Sequence, residues 1–161
     1  MGLDMSLYLR YNSSGYEEHM ENIKEGYPEE LQLIVKNDGN VGYISKETYY
    51  EVAYWRKANA IHKYFVDKCA NGVDECQEIN VSLGDLKELV SICEQVLNDN
   101  ALAPALLPTQ DGFFFGSTDY DDYYFNKIKY TYDVCSKIIA FMDTQHKDEN
   151  YDWDIVYQSS W

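Results

Sequence analysis

Both ends of this sequence alternate strictly between two sets of side chains, a two-residue period that a β-strand sorts onto two faces. In residues 3–11, LDMSLYLRY, one face carries Leu3, Met5, Leu7, Leu9 and Tyr11. In residues 153–161, WDIVYQSSW, one face carries Trp153, Ile155, Tyr157 and Trp161, and the other carries Asp154, Val156, Gln158 and Ser160. The sequence therefore predicts a half-buried strand at each end, and we expect the two strands to share one sheet.

A hairpin is predicted between these strands. LQLIVK, residues 31–36, and VGYIS, residues 41–45, flank NDGN, residues 37–40. Asn, Asp and Gly tolerate the positive φ angles that a tight reversal requires. The preceding segment, residues 12–30, is rich in glutamate and is interrupted by glycine and proline, so we expect an acidic surface excursion there.

Apolar residues that recur at spacings of three and four predict three helices. The first runs over residues 46–69 and buries Tyr50, Tyr54, Ala58, Ile61, Phe65 and Cys69. The second begins at Ser82, whose hydroxyl can cap free amides with Asp85 three residues on, and buries Leu86, Leu89, Val90, Cys93, Val96 and Leu97. The third begins near residues 118–119, ends near residue 144, and buries Tyr124, Ile128, Thr131, Cys135, Ile138 and Met142.

These elements predict the fold class. The chain has 161 residues, a usual length for one domain. We expect a single two-layer α+β domain over residues 1–161, because the predicted strands lie outside a run of helices. A mainly antiparallel sheet of N-terminal strand, central hairpin and C-terminal strand would be covered by about three helices.

The charge of the chain restricts its partners. Its 28 Asp and Glu against 13 Lys and Arg give 13 − 28 = −15, which opposes direct binding to nucleic acid or to anionic membranes. Such a field favours partners with basic surfaces, and nucleic-acid-binding proteins are common among those. The alternative is that the acidity serves solubility alone.

The cysteines indicate a reducing compartment. Four cysteines are scattered without a C-x-x-C pair, and neither a secretory signal nor a long apolar run accompanies them, so we expect a cytoplasmic protein. A zinc site of His62, Cys69 and Cys76 is conceivable on one helix face, but it matches no standard spacing. We expect buried thiols, no metal and no cofactor.

The first candidate binding segment, residues 54–65, reads YWRKANAIHKYF and concentrates Arg56, Lys57 and Lys63 in an acidic chain. On the predicted helix, one stripe beside the buried face carries Trp55, Asn59, His62 and Val66. This face could hold a phosphate or carboxylate, with Arg56 binding it bidentately, His62 donating and Trp55 stacking on a base. In the alternative interpretation the cations pair with the protein's own carboxylates, and His62 is a satisfied boundary residue.

The second candidate segment, residues 106–125, reads LLPTQDGFFFGSTDYDDYYF. It predicts a turn, then a three-residue strand with Phe113 and Phe115 on one side and Phe114 on the other, and then an acidic helix start. Its candidate binding residues are Thr109, Gln110, Phe114, Ser117, Thr118, Asp119, Tyr120, Asp121, Asp122 and Tyr123. The carboxylates lack the ligand spacing of an EF-hand, and acidic residues at a helix start stabilise its dipole anyway. The histidines occur in no recognisable catalytic context, so we expect no catalytic residues.

The chain resembles a family of small, uncharacterised proteins encoded by bacteriophages and prophages. The resemblance rests on MGLDM at the start, YWRKANAIHK at residues 54–63, LLPTQDGFFFGSTDYD at residues 106–121 and YQSSW at the end, and it spans nearly the whole chain. It implies a phage origin rather than a mechanism. Small acidic phage proteins often inhibit host machinery, including CRISPR and other defence systems.

Together these observations predict a non-catalytic acidic protein, acting in the host cytoplasm, that binds a basic host defence or nucleic-acid-handling protein. Nucleic-acid mimicry is one route to such inhibition. Candidate contact regions are residues 17–30, 119–122 and 148–154, where carboxylates accompany tyrosines. Two alternatives stay open: a binder or sponge for a nucleotide signal, and an enzyme acting on a nucleotide or sugar phosphate. Both would use residues 55–63, with residues 109–118 as a lid.

Overall fold

The structure is a computed structural model, and it describes residues 2–15, 44–145 and 153–161. Its strands are β1 (Asp4–Gly15), β2 (Ile44–Arg56), β3 (Ile79–Val81) and β4 (Trp153–Ser160). Its α-helices are α1 (Asn59–Cys69), α2 (Leu83–Asn98), α3 (Ala103–Leu106) and α4 (Asp122–Gln145), with a 3₁₀ turn at Asn100–Leu102 before α3.

The predicted fold class is confirmed. The described strands form one four-stranded antiparallel sheet in the order β2-β1-β4-β3, with helices packed against it, so this is a small α+β fold. The strands from the two ends of the chain are neighbours, as predicted. Strand β3 was not among the predicted elements, and it pairs antiparallel with β4 through Ile79 and Tyr157.

Alternation determines which faces of β1 and β4 are buried. The odd-numbered side chains of β1 and the preceding Leu3 are buried from residue 3 to residue 9, while the even-numbered ones are only partly covered. In β4, Ile155 and Tyr157 are buried as predicted, but Val156, which we expected on the opposite and more polar face, is fully buried as well. Both faces of β4 are therefore covered at residues 155–157, and the neighbouring strands β1 and β3 cover its two edges.

The prediction of a helix beginning at residue 46 is wrong. Strand β2 continues to Arg56, and α1 begins only at Asn59. The segment ETYYEVAYW is dense in β-branched and aromatic residues, which favour a strand. The spacing of Tyr50, Tyr54 and Ala58 is therefore not a helical face, and Tyr54 is half exposed.

An interrupted alternation in β2 explains why a helical period was read there. The Ser6 hydroxyl donates to Glu51 Oε1 at 2.6 Å, and the Tyr54 hydroxyl donates to the Asp4 carboxylate. Glu51 and Tyr54 thus face the same side of the sheet although they are three residues apart. One extra residue at positions 52–53 accounts for this offset, as in a β-bulge.

The other two predicted helices are confirmed with small shifts at their ends. Helix α2 is capped by Ser82, whose Oγ accepts the Asp85 backbone N–H at 3.0 Å. Helix α4 begins at Asp122 rather than at residues 118–119, and its buried face is the predicted one: Tyr124, Ile128, Thr131, Cys135, Ile138 and Met142. Large rings fill the core beneath the helices, where Phe65 of α1 stacks on Tyr157 at 4.4 Å between ring centroids.

Two compact units divide the chain: Met1–Arg10 with Tyr49–Trp161, and Tyr11–Thr48. The predicted hairpin around residues 37–40 and most of the acidic excursion lie outside the described residues, although β1 takes in residues 12–15 of that excursion. A single domain over the whole chain stays a prediction. All contacts discussed below lie within the first unit.

Candidate functional site

The two candidate segments meet, but the first is built into the core. Trp55 lies in β2 rather than on a helix and is fully buried. Its indole Nε1 donates to Thr131 Oγ1 at 2.9 Å, and its ring meets the edge of Tyr130. The predicted stripe of Trp55, Asn59 and His62 therefore does not exist on one helix, and Trp55 offers no ring face to a ligand.

The basic side chains of this segment are separated and largely engaged. Arg56 ends β2 and forms an ion pair with Asp4 at 3.3 Å, whereas Lys63 lies on α1 and pairs with Asp67 one turn on. Lys57 adopts a positive φ of 54°, and its backbone N–H donates to Leu3 O at 2.7 Å. Arg56 and Lys63 do not share a helix face, so the predicted anion clamp is not assembled in the structure.

Asn59 is a buried hydrogen-bonding centre that organises the second segment. Its side chain is 3% exposed, and its Nδ2 donates to the carbonyls of Phe115 at 3.1 Å and Ser117 at 2.8 Å. Its Oδ1 accepts the backbone N–H of Gln110 at 3.1 Å. The Asn59 side chain thus forms hydrogen bonds with backbone groups on both sides of the loop of residues 109–118. Through these bonds the two candidate segments lie together.

His62 is likewise a structural residue. It is 0% exposed, and its ring lies between the Tyr157 hydroxyl at Nδ1, 2.7 Å away, and Asp74 Oδ2 at Nε2, 2.9 Å away. Burial raises the pKa of Tyr157 well above its ordinary value, so the phenol stays protonated and can donate to Nδ1. The carboxylate then accepts Nε2–H, and Asp74 also accepts the indole N–H of Trp161 at 3.3 Å. This array links α1 to β4 and to the chain after α1.

This array has the order of a catalytic triad: carboxylate, imidazole and hydroxyl. Its imidazole and hydroxyl, however, are not accessible to a substrate. The Tyr157 hydroxyl, which would occupy the nucleophile position, belongs to a fully buried side chain that stacks on Phe65. The edge of the Phe115 ring closes the imidazole from the loop side, with 5.2 Å between centroids. A substrate has no route to either group in this arrangement.

The loop of residues 109–118, which we call the FFF loop, is compact and has closely spaced ends, as Ω-loops do. Thr109 Oγ1 donates to Thr118 O at 3.0 Å and closes its base. The predicted three-residue strand is wrong: residues 113–115 form a turn in which the Phe115 N–H donates to Gly112 O at 3.1 Å. Phe113 is consequently 95% exposed and Phe115 only 7%, although an extended strand would have placed them on one side.

Two glycines make this turn possible. Gly116 has a φ of +90°, and a Cβ there would come within 3.1 Å of Lys57 Cβ. A Cβ on Gly112 would come within 2.8 Å of the Phe115 ring. Phe114 lies between the exposed and the buried phenylalanine. Its backbone carbonyl accepts the Leu3 N–H at 3.0 Å and ties the turn to the start of β1.

The acidic residues after the FFF loop serve the start of α4. Asp121 Oδ1 accepts the Tyr124 backbone N–H at 3.0 Å, which makes it the capping residue, and Asp122 lies in the first turn. The Ser117 hydroxyl donates to Asp119 Oδ2 at 3.0 Å. The carboxylates of Asp119, Asp121 and Asp122 remain exposed to solvent while they make these local contacts.

The tyrosines beside these carboxylates combine structural contacts with exposed rings. The Tyr123 hydroxyl donates to Arg56 O at 2.6 Å, and its ring lies 5.0 Å from Lys127 Nζ. The Tyr130 hydroxyl accepts the Tyr54 backbone N–H at 3.3 Å. Tyr120 packs edge-on against Tyr124. Helix α4 thereby covers backbone groups of β2 with phenol oxygens and still presents partly exposed aromatic faces.

The cavity at the predicted ligand-binding position is small. The cavity between the start of α1 and the start of α4 has a volume of about 20 Å³, which suits one water molecule rather than a nucleotide. A larger open groove of about 280 Å³ lies beside Lys63 and is lined mostly by apolar atoms of Tyr64, Ile92 and residues 106–108. The groove's second cation, Lys68, pairs with Glu88 at 2.8 Å.

Burial keeps three of the cysteine thiols in the protonated form. Burial raises the pKa of Cys69 to about 11 and that of Cys135 to about 12, and it raises the pKa of Cys93 further still. The conceivable zinc set of His62, Cys69 and Cys76 is not available, since Tyr157 and Asp74 occupy both ring nitrogens of His62. Within residues 2–15, 44–145 and 153–161, no group of three or more His, Cys, Asp and Glu side chains could hold a metal ion.

Sequence reasoning missed three residues that the geometry makes prominent. Asp74 and Tyr157 complete the contacts of His62 from distant parts of the chain, which no local pattern could show. Phe113 was read only as a strand residue, although a pair of glycines around three phenylalanines was a signal for a turn.

Comparisons with known proteins identify no relative: no protein-family model, no curated protein and no solved structure matches the chain. In the part of the chain that the structure describes, none of the helices has the length and apolar character needed to span a membrane.

Proposed function

We propose that this chain is a phage-encoded acidic binding protein that acts in the host cytoplasm without catalysis and inhibits a host defence or nucleic-acid-handling protein. The proposed mode is occupation of a basic surface on that protein by carboxylates and tyrosine rings. The phage origin and the defence target come from the sequence resemblance, while the mode of binding comes from the charge and the exposed side chains.

One observation carries the proposal: six cations of the described residues form internal ion pairs, while many of the described carboxylates and phenols face outward. Ion pairs join carboxylates to Arg10, Arg56, Lys63, Lys68, Lys87 and Lys129. Each pair cancels one carboxylate, but the net charge of −15 remains to be displayed at the surface. An outward field of one sign attracts basic partners and accelerates their association.

Exposed tyrosines supply the apolar component of such a contact. Those in the described residues of the first unit are Tyr49, Tyr50, Tyr54, Tyr120, Tyr123 and Tyr130. A tyrosine ring offers a large contact area with few rotatable bonds, so it loses little conformational entropy when it is buried at an interface. Several of these rings are already held by hydrogen bonds, as Tyr123 is by Arg56 O, which lowers that loss further.

The ligand-binding and enzymatic alternatives have less support. Both need residues 55–63 to be open towards the FFF loop, yet Trp55 and His62 are fully buried and Asn59 is consumed by the loop backbone. The groove beside Lys63 is open to a small anion, but its cations already have carboxylate partners.

The test is a pull-down from nuclease-treated bacterial lysate at moderate salt with the wild-type chain as bait. We expect stoichiometric recovery of a basic nucleic-acid-handling protein. A matched pair of double variants then locates the charge effect: Asp119→Asn with Asp122→Asn at the start of α4, and Glu75→Asn with Glu94→Gln elsewhere. Both pairs change the net charge by the same amount, and we expect only the first to reduce recovery.

Three outcomes contradict the proposal in different ways. Equal losses for both double variants would indicate non-specific charge attraction. Recovery of no protein, together with a co-purified nucleotide that Arg56→Ala releases, would favour the sponge. Steady turnover of a nucleotide by the purified chain would establish an enzyme.

A further inference from the structure

We infer that the tip of the FFF loop is the central contact of the proposed interface, and that Phe113 inserts into an apolar pocket rimmed by Lys or Arg side chains on the partner protein. This inference rests on the proposed function and adds to it the anchoring residue and the chemistry of the partner's site.

The exposure of Phe113 is the first step. Its side chain is 95% exposed, and its ring meets the edge of Phe114 at 4.8 Å between centroids. Removing such a side chain from water is favourable, and the folded chain alone leaves this gain unrealised. A single exposed apolar residue is common on protein surfaces, so exposure by itself decides little.

The support beneath Phe113 is the second step. The turn that presents it is fixed by the hydrogen bonds of Phe114 O to the Leu3 N–H and of Phe115 O to Asn59 Nδ2. Phe115 anchors the turn from inside, where its ring packs on His62. Because Gln110 and Phe115, on either side of the tip, are both tied to the buried Asn59 side chain, little ordering entropy is lost when the tip is bound. Rigid aromatic anchors of this kind are typical binding hot spots.

The charges around the tip are the third step, and they specify the partner. Asp111 precedes the turn and Asp119 follows the loop, and both carboxylates are exposed. The exposed Lys57, whose side chain lies against Gly116, adds one cation, so carboxylates outnumber cations at the loop. A protruding ring flanked by carboxylates in the sequence cannot enclose a small ligand. The surface that receives Phe113 therefore has to be concave and belong to a macromolecule. Its pocket has to be apolar, and its rim has to be basic. A second copy of this chain fits poorly, since each copy carries −15.

The direct test is a titration of the purified basic protein recovered in the pull-down, using full-length wild type, Phe113→Ala, Phe113→Tyr and the control Val73→Ala. Val73 is a half-exposed apolar residue in another loop. We expect Phe113→Ala to weaken binding by about 30-fold, as for a hot-spot residue, with Phe113→Tyr close to wild type and Val73→Ala unchanged. Equal affinity for wild type and Phe113→Ala would overturn the inference and leave the proposed function intact, because the wild type still binds.

A second measurement keeps the inference testable if the pull-down yields no partner, in which case the proposed function itself fails. The probe is a mixed-mode resin that carries phenyl groups next to quaternary amines, which imitates an apolar site with a cationic rim. We expect Phe113→Ala to elute at clearly lower salt than wild type and Val73→Ala to co-elute with wild type. Identical elution of all three proteins would overturn the inference, as would a dimer of the wild type that Phe113→Ala dissociates, because the occupant would then be a second copy.

Discussion

The start of α1 and the tip of the FFF loop are joined by hydrogen bonds, yet they differ in what they leave for other molecules. At Asn59 and His62 the polar atoms have partners inside the protein, and the side chains are 3% and 0% exposed. At Phe113 a large apolar side chain has almost no cover. The start of α1 therefore supports the loop. Residues with chemically versatile side chains serve here as scaffold, and the surface they leave exposed is an apolar ring.

The largest effect that can break this comparison is the loss of the Asn59 side chain. Asn59→Ala leaves the carbonyls of Phe115 and Ser117 and the N–H of Gln110 without their partner, at a cost of about 3 kcal/mol in the free energy of unfolding. Urea denaturation measures it, with the exposed Asn126→Ala as the matched control. A loss below about 0.5 kcal/mol would show that Asn59 does not organise the loop.

The next effect concerns the backbone of the FFF loop. Gly116→Ala places a Cβ at a φ of +90° against Lys57, and we expect a loss of about 1–3 kcal/mol in unfolding free energy. Gly84→Ala near the start of α2 is the control, because its Cβ meets only Ser82 Oγ at 3.6 Å and alanine favours a helix. Thermal or urea unfolding should therefore shift in opposite directions, and equal shifts would remove the case for a constrained turn.

Buried thiols of the core should make the free energy of unfolding depend on pH, whereas the tip of the FFF loop should not contribute to that dependence. The Cys135 thiol has a pKa of about 12 in the folded chain against 9.0 unfolded, so its proton is lost first from the unfolded state. Stability attributable to this thiol is complete below pH 9 and falls as the pH rises from 9 towards 12, by about 1.4 kcal/mol per pH unit. Cys69 acts in the same direction over pH 9 to about 11.

Denaturation series between pH 8 and 10 under reducing conditions measure this slope. We expect Cys135→Ala to flatten it and Phe113→Ala to leave it unchanged, whatever either substitution does at pH 8. A slope that Cys135→Ala does not alter would contradict a protonated, buried thiol at this position.

The smallest effects belong to the exposed edge. Tyr123→Phe removes the hydrogen bond to Arg56 O but keeps the ring, so we expect a loss of about 0.5–1 kcal/mol in unfolding free energy. Phe113→Ala should change it by less than about 0.5 kcal/mol. Calorimetric melting curves distinguish these two variants. A destabilisation by Phe113→Ala as large as that by Asn59→Ala would place Phe113 in the core and remove the difference between the loop tip and the start of α1.

The sequence predicted what periodicity and capping control. The alternation of β1 and β4, the Ser82 cap and the full buried face of α4 were all readable, because each depends on residues close together in the chain. The helix prediction for residues 46–56 was wrong because Tyr50, Tyr54 and Ala58 recur at a spacing of four, which suits a helix face although the segment is a strand. The role of His62 depends on Asp74 and Tyr157, and such a tertiary contact has no local signature. The FFF turn was missed because a strand pattern was preferred over the two glycines that bound it.

The most direct test of the account compares the two regions in one binding experiment. The purified basic partner is titrated against wild type, Phe113→Ala and Arg56→Ala. The last removes an exposed cation at the end of β2, within the first candidate segment, and its pair with Asp4. The account predicts that Phe113→Ala weakens binding by at least about tenfold and that Arg56→Ala leaves the dissociation constant unchanged. Loss of binding with Arg56→Ala and full binding with Phe113→Ala would contradict it, because the contact would then lie on the segment that the structure assigns to the scaffold.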